Sequence, residues 1–304
     1  MAKAALAAIA AAASLGIASY ADDAKADYYD NSYIAEGATQ NTYPEEYRLI
    51  TLAGILVLNG PIKCGLGTWI NDTDFGDCIW KGLIGGAIDF AGLEIATYNE
   101  YPFVGAAGKL VHDFGVSIAD NSAANLPMLD RFQTDFGPFL FSAEHLTTDP
   151  TFNMYFQIGP AVGIIVNIFQ GNRFEFLETV SNLTPVFSFY EASITDSFSN
   201  YLGRTIGNVI SYGRGENIQG YEGYNSVRSH EFNHSLIYGD FRFINDLLPP
   251  YPMQQYHISF GPDLGSIVLT LPTALCEIAA DDCYEVYMSN PLEFFAYTME
   301  NDGK

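Results

Sequence analysis

Residues 226–240 read SVRSHEFNHSLIYGD. The pattern predicts a helix from about Ser226 to Asp246. Asn225 or Ser226 offers an N-cap, and Pro249-Pro250 stops the helix. β-rich sequence lies on both sides of it. Between 131 and 215, FGPFLFSAEH, MYFQIGPAVGIIVNIFQG, RFEFLETV, TPVFSFYEAS and RTIGNVISYG are short runs of aromatic and β-branched residues punctuated by Gly, Pro and Asn. Gly171-Asn172 is spaced to join two of these runs as a hairpin. Residues 256–272, YHISFGPDLGSIVLTLP, resume as strands, and a last short helix starts near Asn290-Pro291. The fold class is therefore α+β: a β-rich middle region, the 226–246 helix, a further β segment and a C-terminal helix.

Upstream of the β region, GAAGKLVHDFGVSIADNSAAN (105–125) reads as a helix whose apolar side is Leu110, Phe114, Val116 and Ile118. CIWKGLIGGAIDFAGLEIATY (78–98) is apolar but interrupted by Lys81, Asp89, Glu94 and glycines. It is expected to be a buried or interfacial segment rather than a membrane span. RLITLAGILVLNG (48–60) is too short to cross a bilayer. No internal repeat stands out at a fixed period.

Residues 22–46 are polar and without periodicity, which predicts a flexible leader. Ahead of them, Lys3, the Ala-rich run Ala4–Ile17 and the small residues Ser19 and Ala21 have the pattern of a signal peptide over 1–21. The rest, 47–304, is expected to be one domain, and the protein to be exported: periplasmic, cell-envelope or secreted. The four cysteines fit an oxidising compartment. They allow three pairings, of which the local ones, Cys64 with Cys78 and Cys276 with Cys283, close short loops full of turn residues.

The 304 residues carry 36 acids against 13 bases, a net charge of −23. Such a surface repels polyanions and excludes nucleic acid as a partner. Membrane association stays open, and the sequence does not specify an oligomeric state.

The quoted stretch holds His230-Glu231-Phe232-Asn233-His234, an H-E-x-x-H containing two of the chain's five histidines. On a helix, residues four apart share a face, so His230 and His234 can direct two imidazoles at one zinc ion. Glu231, one residue round, is placed to act as general base on a zinc-activated water. Such a site needs a third protein ligand. His112-Asp113 admits a supporting role, but a lone His-Asp on a helix is expected at the surface or as a cap. His257, ahead of a strand, is expected to be a structural histidine.

The stretch from His112 to about Asp246 resembles a family of uncharacterised bacterial envelope proteins. The resemblance is carried by HDFGVSIADN (112–121), LDRF followed by FGPF, TIGNVISYGRG (205–215) and HEFNH. It covers a little under half the chain and implies a periplasmic or secreted protein with a zinc-peptidase-like motif. Residues His230, Glu231, His234 and Glu293 also resemble zinc peptidases of the gluzincin type. These take their third ligand as a glutamate from a downstream helix, and Leu292-Glu293-x-x-Ala296 is similar to that element. Asn290-x-x-Glu293 reads equally as a capping box. Asp240 lies ten residues after His230, the offset of the metzincin third ligand, although Ile237 stands where that pattern has glycine. Arg228 departs from these motifs too, being charged where zinc-peptidase helices carry an uncharged residue.

The resulting expectation is an exported zinc-dependent hydrolase acting on a peptide or protein substrate. Its site is His230, His234 and Glu293 (or Asp240) around zinc, with Glu231 catalytic. Two rivals stay open: a non-catalytic envelope protein with a structural or relic metal site, and an outer-membrane β-barrel.

Overall fold

The computed structural model describes residues 45–98, 101–189, 203–213, 224–242 and 260–261. The expected signal peptide, nearly all of the leader, the Cys276–Cys283 pair and the C-terminal helix lie outside them. So do His257 and Glu293.

Helix α1 (Glu45–Val57) runs through a π-helical turn (Leu58–Ile62) into α2 (Lys63–Asn71). Pro61 sits inside that turn. Proline has no N–H to give and crowds the preceding turn, and a widened turn absorbs both defects. Asp72, at φ 52°, ends α2. Two residues later Asp74 caps α3 (Phe75–Ala96), its Oδ1 accepting from Asp77 N at 2.8 Å. The Cys64–Cys78 disulfide ties α2 to α3, as the short-loop pairing predicts. Closing a loop of that length stabilises by about 3 kcal/mol.

Helix α4 (Val104–Ala123) packs antiparallel on α3 through a seam of small residues. On α3 the seam is Gly85, Asp89, Gly92 and Ala96; on α4 it is Gly108, His112, Gly115 and Ala119. The alternating steps of three and four are those of a two-helix heptad seam. Backbone meets backbone there: a Cβ at Gly92 would lie 2.5 Å from His112 Cα, and one at Gly115 would lie 2.7 Å from Asp89 Cα. The apolar side expected for this helix is only half right. Val116 and Ile118 are buried, whereas Leu110 and Phe114 are 41% and 39% exposed. Close approach of the two backbones selects small residues for the buried stripe and leaves the larger ones outside it.

The strands form two four-stranded sheets. The first has the order β1 (Phe132–Phe136), β2 (Phe139–Glu144), β3 (Thr151–Gln157), β8 (Phe260–Gly261), with β8 parallel to β3. The second runs β4 (Arg173–Phe174), β5 (Val186–Phe189), β7 (Val209–Gly213), β6 (Gly203–Ile206). In it β5 and β7 are parallel, while β6 and β7 form a hairpin.

Two stretches expected as strand are helices: α5 (Ile158–Phe169) and α6 (Phe176–Asn182). In α5 the buried residues are Pro160, Gly163 and Asn167, a helical spacing, while Ile158, Val162, Ile165 and Ile168 are exposed. A continuous apolar run carries no period that separates strand from helix, and here Pro160 in the first turn decided for helix. Gly171-Asn172 makes no hairpin. Gly171, at φ 71°, terminates α5, its N–H bonding to Ile168 O while Asn172 N bonds to Asn167 O.

Helix α7 (Tyr224–Asp240) lies against β6 and β7 and reaches α3 and α4 at its far end. The core sits at that junction. It comprises Ile55, Leu93 and Ala96, then Val186, Ile210 and Tyr212, then Phe232, Leu236 and Ile237 from α7. Each fully buried Leu or Ile there contributes about 1.5–3 kcal/mol. The fold is α+β, as expected. Among the described residues no helix is long and apolar enough to cross a membrane.

Candidate metal centre

Helix α7 carries polar groups inward at its middle and at its C-terminal end. At the middle, His230, Glu231 and His234 are all buried. The four-residue step stacks the two imidazoles edge to face, and their Nε2 atoms lie 3.0 Å apart. Two nitrogens bound to one tetrahedral zinc at about 2.05 Å stand about 3.3 Å apart. The pair is therefore within a few tenths of an ångström of the chelating separation. Glu231 faces the hairpin instead. Its Oε2 accepts from Thr205 Oγ1 at 2.6 Å, and the same hydroxyl lies 2.9 Å from the Glu231 carbonyl oxygen. Gly203 makes room for the carboxylate, since a Cβ there would be 2.5 Å from Oε1. Arg204 is drawn down from its ordinary pKa by burial, against the opposing charge of Glu231, and its Nη2 donates to Gln170 Oε1.

At the C-terminal end of α7, Asp240 enters a buried ionic cluster with the α3–α4 pair. Asp89, His112 and Asp113 are each 0% exposed, which overturns the expectation of a surface or capping His-Asp. His112 Nε2 lies 3.3 Å from Asp89 Oδ1 and 3.8 Å from Asp240 Oδ2, while its Nδ1 lies 3.5 Å from Asp113 Oδ1. Asn59 fixes the other oxygen of Asp89, donating to Oδ2 at 2.7 Å. Asp113 accepts from Thr134 Oγ1 at 2.7 Å and from Arg242 Nη2 at 3.0 Å. Lys109 pairs with Asp135 at 2.6 Å, and Lys63 with Asp120 at 2.8 Å.

The charges set one another's protonation. Burial pulls the His112 imidazole down, but Asp89, Asp113 and Asp240 outweigh it and push it up to about 10. Burial, then the charge of Asp240, raises Asp89 well above the carboxylate range. Burial also disfavours the charged forms of Asp240 and Asp113. His112 and Lys63 nevertheless hold Asp240 below its ordinary value, and Lys109 and Arg242 hold Asp113 down. Lys109 and Arg242 are raised in turn: burial works against them, and Asp113 and Asp135 prevail.

Asp89, His112 and Asp240 form a group that could hold a metal ion, their ligand atoms all lying within 4.8 Å of one another. Among the described residues Asp240 belongs to this group and not to the His230–His234 pair. The reason is helix length. The metzincin arrangement needs the chain to turn away after the motif, but α7 runs unbroken to Asp240, about 9 Å along the axis beyond His234. In the sequence Asp89 stood out only as a break in an apolar run, not as a ligand. Its signal was the heptad stripe of small residues, in which Asp89 and His112 are the two large polar members.

No family model, curated protein or solved structure matches the chain.

Proposed function

We propose that the chain is a zinc-dependent hydrolase of peptide or related amide bonds, centred on His230, Glu231 and His234. The observation that carries this reading is the pair of buried Nε2 atoms 3.0 Å apart on one helix face. Imidazole nitrogen suits zinc, and two such donors at this separation fit it. Glu293 is the candidate third ligand. A zinc bound there supplies an acidified water. Glu231, next in sequence to a ligand, is the group to accept its proton and return it to the leaving amine. Thr205 holds the Glu231 carboxylate by a hydrogen bond to Oε2, and this bond must turn or release for that exchange. A peptide substrate is favoured because β6, beside Glu231, is the outer strand of its sheet among the described residues. An outer strand can pair with an extended chain.

Export belongs to the same reading, supported by the Cys64–Cys78 disulfide and the leader pattern. The barrel rival has little support: the described strands are two to seven residues long, short of the roughly 9–11 that span a bilayer. The non-catalytic rival has one specific observation behind it, the turn of Glu231 toward Thr205.

Glu231→Gln separates the two readings. The proposal expects zinc content to stay at the wild-type level while amide hydrolysis falls by about 10²–10⁴. Full activity in Glu231→Gln, or no zinc lost from His230→Ala/His234→Ala, refutes it.

A further inference from the structure

We propose that Asp89, His112 and Asp240 form a second, closed divalent-cation site that fastens α7 to the α3–α4 pair. The site is independent of the His230–His234 pair. Three features carry it.

The first is a set of buried atoms left without hydrogen bonds. Asp89 Oδ1, His112 Nε2 and Asp240 Oδ1 are fully enclosed and lack hydrogen-bond partners among the described residues. Buried polar atoms are nearly always satisfied; Asp89 Oδ1 stands 3.3 Å and Asp240 Oδ2 3.8 Å from His112 Nε2, and the unsatisfied atoms of these three side chains fit a ligand placed between them. The second feature is orientation. Asn59 takes Asp89 Oδ2 and so leaves Oδ1 turned to His112. Asp113 Oδ1 stands 3.5 Å from His112 Nδ1, longer than a formed hydrogen bond, and its charge favours keeping the proton on that nitrogen when a metal takes Nε2. A carboxylate behind the far nitrogen is the usual support of a metal-binding histidine. The third is charge. The carboxylates of Asp89, Asp113, Asp120, Asp135 and Asp240 face three permanent cations, Lys63, Lys109 and Arg242. Acidic side chains thus outnumber the permanent cations around the imidazole, a lining that suits a cation.

Two carboxylates and an imidazole suit zinc or manganese better than an all-oxygen ion such as calcium. The three ligands come from α3, α4 and α7 and are buried away from solvent, so the ion's role is to hold these helices together.

The test measures uptake of zinc alone and manganese alone by the chelator-stripped chain, with elemental analysis and thermal melts. His230→Ala/His234→Ala removes the other pair. In that background the chain is expected to retain about one ion and to melt higher with it. Adding Asp89→Asn, which has the shape of a neutral carboxyl and so preserves the packing, abolishes both effects. No uptake in the double-histidine variant, or uptake unchanged by Asp89→Asn, overturns the site. If the double variant does not fold, wild type against Asp89→Asn decides the same point through loss of one ion. The two sites fail separately: loss of zinc with the histidines alone speaks to the hydrolase centre, and loss with Asp89→Asn alone speaks to this one.

Discussion

Replacing Gly92 with alanine tests the helix seam on which the buried cluster depends. The new methyl carbon would stand 2.5 Å from His112 Cα and 2.8 Å from Gly108 O. Ordinary carbon contacts begin near 3.5 Å, so the helices must part by roughly 1 Å. Both obstacles are backbone, and no rotamer relieves them. An opening of that size forfeits a quarter to a half of each dispersion contact along the seam. Overpacking of this kind costs about 3 kcal/mol or more, against roughly 1 kcal/mol gained because alanine is the better helix former. The net loss is about 2 kcal/mol, a fall in Tm of about 4–8 °C for a domain of this size. Gly76→Ala is the control. It lies on the same helix, and its nearest neighbour to an added Cβ is Asp74 Oδ1 at 3.4 Å. It should leave stability unchanged or raise it slightly. Thermal melts followed by circular dichroism read both variants. A Gly92→Ala protein as stable as Gly76→Ala would refute the close-packed seam.

Lys109→Met should destabilise by about 3–5 kcal/mol in urea unfolding, because Asp113 and Asp135 are left to share Arg242 alone and one buried charge goes uncompensated; a change below about 1 kcal/mol would contradict the buried pairing. The pH dependence of the chelator-stripped chain has two limbs. Asp113 and Asp240 are depressed, so their contribution is present above pH 3.8 and fades as pH falls through their folded values. His112 is raised from 6.5 to about 10, so its contribution is complete below 6.5 and is lost as pH climbs toward 10. Asp89, also raised, weakens the fold in the same alkaline direction. His112→Gln should therefore flatten the alkaline limb of the unfolding midpoint between pH 6.5 and 10. An unchanged slope would show that the imidazole is not held protonated.

What could be read in the sequence followed from local grammar. The Cys64–Cys78 loop, the helix at Val104–Ala123 and the start of the motif helix, within two residues, are short-range features with their own turn or periodic chemistry. The α5 helix was misread because Ile158–Phe169 is apolar nearly throughout, and only the neighbours that cover Pro160, Gly163 and Asn167 reveal its period. The shared face of His230 and His234 was legible because a four-residue step on a helix fixes it. Thr205 and Gly203, which orient Glu231, come from a hairpin 26 residues or more away and have no motif. The second cluster was harder still. His112-Asp113 looked solvated because nothing in a dipeptide shows that Lys109, Arg242 and Asp89 will close around it.

The bond between Arg242 and Asp113 spans 129 residues, whereas that between Lys109 and Asp135 spans 26. Loop closure costs roughly 0.6 kcal/mol more for each doubling of length, so the shorter contact has the head start. Without the chain around Arg242, Asp113 and Asp135 have only Lys109 between them. The expected order of assembly is therefore the α3–α4 pair with β1 first and α7 last. The docking of α7 then carries an electrostatic reward, because the guanidinium that balances the gathered carboxylates comes with it.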